Sequence, residues 1–269
     1  MSGSYQLSKW DSKEEELLRL QQQHLQFQKI EQQWLQDSGL EKSSRVLEIG
    51  CGPGFVSRSL LTLIPEGHLL SIDNDMEMEP LWKKNTDFGT QISDHGSCEF
   101  QCLDFSIKDI KIDETFDFCY LRFVFQHVKN LKNVLDNVKR HLKPQGKIII
   151  VDSDDQLLFC HPHNHDLRQL LAQVQNTQRV LGGDRFVGRK LPDLLKQSDF
   201  THVHFQSLTF TNGQYPFKEL WQLSMGYKMK ITRESQSNID QLLECLSVLD
   251  KKKSLFFHVG VIVAIGTVL

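Results

Sequence analysis

No basic block longer than Lys251-Lys252-Lys253 occurs in the 269 residues, and the formal net charge is −3. A protein that tracks a nucleic-acid backbone needs a concentrated cationic footprint, so large nucleic acids are not expected as substrates. The six cysteines (51, 98, 102, 119, 160 and 245) contain no C-x-x-C pair. They read as reduced small hydrophobes and imply no disulfide framework. Met1-Ser2-Gly3-Ser4-Tyr5 lacks a basic region followed by an apolar core, so no secretory leader is expected and a cytoplasmic location follows. The apolar stretch Leu255 to Leu269 is shorter than the roughly 20 residues that span hydrocarbon. Its Val and Ile bias, with Gly260 and Gly266, suits a strand, so no membrane partner is expected.

What the chain does have is 39% hydrophobic and 24% charged residues, enough to bury one full α/β core. Its centre is Arg45-Val46-Leu47-Glu48-Ile49-Gly50-Cys51-Gly52-Pro53-Gly54-Phe55, which reads as strand, tight loop, helix. Glycine at 50, 52 and 54 permits positive φ and removes each Cβ that would hold a ligand off the main chain. A dinucleotide fingerprint needs a further glycine where this chain has Phe55, which disfavours NAD. About twenty residues on, the strand His68 to Ile72 ends at Asp73, and one ionised carboxylate can accept from both hydroxyls of a ribose.

The run around Glu48-Ile49-Gly50-Cys51-Gly52-Pro53-Gly54 closely resembles the first motif of class I S-adenosylmethionine-dependent methyltransferases, with Glu48 in the acidic position. Further segments match. Leu103-Asp104-Phe105 resembles the adenine-binding position, with Leu103 where the family more often has glycine. Arg122-Phe123-Val124-Phe125-Gln126-His127 resembles the fourth motif, and Leu142-Lys143-Pro144-Gln145-Gly146 precedes the fifth strand. The resemblance implies a Rossmann-like, doubly wound, seven-stranded and mostly parallel sheet, with an antiparallel last strand and helical cap insertions. It implies one domain over 1–269, with an N-terminal helical lid at 1–40 and a helical cap at 211–253. It implies S-adenosyl-L-methionine as cofactor, bound by Gln23, Glu48, Gly50, Gly52, Gly54, Asp73, Asn74, Asp104, Phe105 and Arg122. Arg19-Leu20-Gln21-Gln22-Gln23-His24, with Tyr5 ahead of it, resembles a subgroup in which the first helix covers the cofactor.

Methyl transfer from a sulfonium asks the protein mainly to align the reactants and exclude water. A hydroxyl acceptor would profit from a base, for which His127 by motif and Asp152 just past the fifth strand are the candidates. Phe123, Phe125, Trp221 and Tyr227 are candidate walls of the acceptor pocket. Cys160-His161-Pro162-His163-Asn164-His165 invites a metal reading, but Pro162 breaks the helix that would set two histidines on one face, and divalent ions that position a catechol favour carboxylates and Asn. No metal is expected. There is neither an Asn-Pro-Pro-Tyr run nor a Gly-Gly-Gly-Asp-Gly run. The expected function is methylation of a small molecule. Two alternatives stay open: a non-catalytic S-adenosylmethionine-binding protein and a protein methyltransferase. A homodimer is neither required nor excluded by the sequence.

Overall fold

The computed structural model describes residue 5 and residues 12–87, 96–232 and 234–269. Residues 1–4, on which the leader expectation rests, lie outside them. Five strands run parallel: β1 (Arg45–Ile49), β2 (His68–Asp73), β3 (Ser97–Cys102), β4 (Phe116–Arg122) and β5 (Leu142–Ser153). The order is β3-β2-β1-β4-β5, so the chain leaves β1 in one direction and returns on the other side with β4. Such a reversal opens a crevice beyond the carboxyl ends of the strands, where α/β sheets bind ligands.

The sheet then continues with antiparallel pairing. β8 (Phe256–Thr267) lies between β5 and β7 (Thr201–Thr211), antiparallel to both. The expected last strand is therefore present and interior to the sheet. An eighth strand was not foreseen: β6 (Phe159–His161) pairs with the start of β8, where the sequence reads a loop. Three residues carry too little alternation to be recognised as a strand.

Period-two alternation distributes β1 over two cores. Val46 packs with α1 (Lys13–Asp37), α2 (Phe55–Leu63), α5 (His165–Val180), α7 (Phe217–Ile231) and α8 (Gln236–Lys251). Leu47 and Ile49 face α4 (Leu131–His141) and α6 (Leu191–Gln197) on the other side. Strands buried on both faces read as continuous apolar runs, as these do. Cys51 and Cys119 are buried, whereas Cys98 and Cys102 are exposed because β3 forms the sheet edge. All six thiols are free.

α1 begins at Ser12, whose hydroxyl accepts from the Glu15 N–H at 3.2 Å, with Glu14, Glu15 and Glu16 in the first turn. Acidic residues there complement the helix dipole. Its buried positions include Phe27 and Leu35 but also Glu16, His24 and Glu31, and buried charge on a helix needs a partner. No helix among the described residues is long and apolar enough to cross a membrane.

Candidate active site

The loop after β1 takes left-handed backbone at all three glycines, with φ of +71° at Gly50, +54° at Gly52 and +87° at Gly54. They serve different ends. A Cβ at Gly50 would lie 2.4 Å from Val124 Cγ2, and one at Gly54 2.8 Å from Trp82 Cδ1, but at Gly52 it would meet nothing within 4 Å. Gly50 and Gly54 let α3 (Met78–Thr86) and the segment after β4 approach, while Gly52 faces open space. That space is a cavity of 240 Å³ at the carboxyl ends of β1, β2, β4 and β5.

Asp73 stands at its rim. Its carboxylate accepts from the Gly52 N–H at 2.8 Å and the Asp75 N–H at 3.0 Å. Burial pushes its pKa up to about 6, against the pull of these backbone donors. Glu48 is 3% exposed and accepts from Ser57 Oγ at 2.5 Å and Ser71 Oγ at 2.9 Å, while Trp82 Nε1 donates to Ser57 Oγ. This chain of bonds ties the loop floor to α2, β2 and α3. Burial raises Glu48 to about 7. Asp104 Oδ1 accepts from Ser106 N and Oγ at 3.0 and 2.6 Å, and Asn137 Nδ2 donates to the Phe105 carbonyl at 2.9 Å. These bonds fix the turn after β3 at the cavity wall, which Asn74, Asp104 and Phe105 all line.

Arg122 closes β4 against the first helix. Its guanidinium donates to both oxygens of Glu31 at 3.0 and 3.1 Å, and Tyr120 Oη donates to the same carboxylate at 2.8 Å. Glu31 is thereby accounted for, and α1 is fastened over the cavity, which Gln23 and Phe27 also line. The next residue, Phe123, holds φ +57° with its N–H bonded to the Val151 carbonyl. A bulky residue rarely adopts that conformation.

Beyond it the cavity becomes polar. The His127 ring lies 5.5 Å from Tyr5 and 5.0 Å, edge-on, from Tyr227. Gln178 Nε2 donates to the Gln126 carbonyl at 2.9 Å and meets His127 Nδ1 at 3.2 Å, and Tyr227 Oη donates to Gln178 Oε1 at 3.1 Å. A carbonyl cannot donate, so the amide nitrogen faces Gln126, and Nδ1 must accept. Burial, with Arg185 and Arg19 nearby, pushes His127 down to about 3. The ring is neutral with its proton on Nε2, which makes it a hydrogen-bond donor on that side rather than a base.

Four charged residues from separate segments meet here. Arg185 grips Asp155 with Nε at 3.1 Å and Nη2 at 2.9 Å, and Lys228 Nζ reaches Asp155 Oδ1 at 3.2 Å. Arg185 also donates to Gln126 Oε1, and Lys228 to the Ser224 carbonyl at 2.6 Å. Asp155, Arg185 and Lys228 are each at most 5% exposed, yet all three line the cavity. Arg19 lines it too, bound by Nε and Nη2 to Glu16, which also accepts from Tyr5 Oη at 2.6 Å.

Every expected cofactor residue except Gly54, which packs against Trp82, thus borders the cavity, as do Tyr5, Phe123, His127 and Tyr227. Others do not. Asp152 is 0% exposed and accepts from the N–H groups of Gln126 and Ser153 behind the wall, with burial raising it to about 7. It cannot reach an acceptor as a base. Phe125 and Trp221 are buried in the core instead of lining the pocket. No cluster of three His, Cys, Asp or Glu able to hold a metal occurs among the described residues. The sequence reading assigned no role to Asp155, Arg185 or Lys228. One signal was available: Lys228 falls in phase with Phe217, Trp221 and Met225 on the buried stripe of α7, and a lysine in such a stripe must be paired.

Residues 18–205 match the family model described as a methyltransferase domain. Over 148 residues the chain is 31% identical to malonyl-[acyl-carrier protein] O-methyltransferase of Bacillus anthracis, which covers 55% of this chain and 51% of that protein. The chain spans about half the length of the curated relatives it matches. Among solved structures, the YcgJ protein of Bacillus subtilis has a TM-score of 0.59 at 13% identity, covering 87% of this chain and 96% of that one. Phosphoethanolamine N-methyltransferase 2 of Haemonchus contortus has a TM-score of 0.55 at 16% identity, covering 87% and 51%.

Proposed function

The chain belongs to the methyltransferase domain family, and from that premise we propose that it is an S-adenosylmethionine-dependent methyltransferase whose acceptor is a small molecule. One observation carries the reading. The cavity runs from the glycine loop to the polar cluster beneath residues of both α1 and α7, and such a roof suits a small acceptor better than a protein side chain, which needs an open groove. The acceptors named for relatives, malonyl-[acyl-carrier protein] and phosphoethanolamine, differ too widely for their identity to be carried over.

In this reading Asp73 takes the ribose hydroxyls, Asp104 and the Phe105 backbone take adenine, and the loop at Gly50, Gly52 and Gly54 lies along the cofactor, with Glu48 beneath it. Asn74, Gln23 and the Arg122 backbone complete the contacts, and His127 orients the acceptor. Residues 1–40 act as lid and 211–253 as cap of a single domain, a chain that works in the cytoplasm. Catalysis is alignment and water exclusion. The test is parallel calorimetric titration with S-adenosylmethionine, S-adenosylhomocysteine and NAD, followed by a screen of small acceptors for the mass gain of one methyl. Binding of the adenosyl ligands without NAD, and a small acceptor that gains a methyl, is the expected result. Methyl transfer only to protein side chains would refute the proposal.

A further inference from the structure

The polar end of the cavity carries a charge imbalance. Arg19 is matched by Glu16, Arg122 by Glu31 and Arg189 by Asp154. Among the described residues Asp155 is the one carboxylate ion-paired with both Arg185 and Lys228. Behind the same wall Asp152 is taken up by two backbone N–H groups and makes no ion pair with Arg185 or Lys228, and burial keeps His127 neutral. Among the described residues of this cluster one buried cation is left in surplus, and it is Lys228: Arg185 holds Asp155 through two hydrogen bonds, the ammonium through one. Burial pushes Lys228 down to about 8 even with Asp155 beside it.

An ammonium out of water is costly unless an opposite charge reaches it. The cofactor does not remove the surplus, because S-adenosylmethionine carries a sulfonium, an ammonium and one carboxylate and is itself net positive. The acceptor is the remaining source. We propose that the acceptor carries a carboxylate or phosphate group and seats it against Lys228 and Arg185, with Lys228 the residue that selects for an anion. The inference rests on the methyltransferase reading and narrows its acceptor class.

The test uses the full chain saturated with S-adenosylhomocysteine, titrated calorimetrically with benzoate, succinate, phenyl phosphate and inorganic phosphate, and with benzamide as the neutral probe. At least one anion is expected to bind, benzamide at least about tenfold more weakly, and Lys228→Met to weaken that anion by about tenfold or more. Benzoate against phenyl phosphate tells a carboxylate site from a phosphate site. Equal binding of benzamide, undiminished anion binding in Lys228→Met, or no binding by any of the four anions overturns the inference. If Lys228→Met does not fold, Lys228→Gln carries the same comparison. Failure of S-adenosylhomocysteine itself to bind is a separate result, which would overturn the parent reading and this inference with it.

Discussion

In the proposed reading Asp73 carries the ribose contact of the cofactor. It receives the Gly52 N–H and faces the cavity, so Asp73→Ala removes a charge-assisted contact expected to be worth about 1.5–3 kcal/mol of S-adenosylmethionine affinity. Calorimetry reads this directly, and unchanged affinity would sink the ribose assignment. Its pKa also sets a pH dependence. The folded value, about 6, is above that of a free carboxyl, so the protonated form is favoured in the empty protein and is lost as pH rises through 6. Only the ionised form accepts from both hydroxyls. Affinity should therefore be flat above neutrality and fall about tenfold by pH 5. A pH-independent dissociation constant across that window would contradict the role.

At the scale of elements, the glycine loop makes two substitutions diverge. Gly54→Ala meets the Trp82 backbone and ring as well as a positive φ, and should cost about 2–4 kcal/mol of stability in denaturant unfolding. Gly52→Ala meets no protein atom and should cost only about 1–2 kcal/mol in strain. Its methyl would enter the cavity proposed to hold the cofactor, so binding should suffer more than stability. Equal losses of stability in the two variants would refute this division. That the loop, Asp73 and Asp104 border the cavity was legible because each lies at or just past a strand end within a contiguous motif. The acceptor end was not. It is assembled from α1, the end of β5, the loop carrying Arg185, and α7, segments that only the folded topology brings together. Asp152 was misread for the same reason: a strand-end acid looks alike whether it faces the cavity or, as here, the Gln126 backbone.

For the whole molecule the decisive element is β8. Its β-branched bias was readable and the family resemblance made it antiparallel and last, but its position between β5 and β7 is given only by the fold. Its partners in β5 lie far upstream, Ile150 opposite Ala264, and closing so long a loop is unfavourable until the neighbouring contacts exist. β8 should dock after the folding transition state, so Val263→Ala should speed unfolding and leave refolding nearly unchanged in stopped-flow denaturant jumps. A slowed refolding limb would place β8 in the nucleus instead. Val259, Gly260 and Val261 of this strand also line the cavity. The strand expected to dock last is thus also a wall of the ligand chamber. A ligand held there should resist the opening that a protease needs, so cofactor and acceptor are expected to slow proteolysis of the chain.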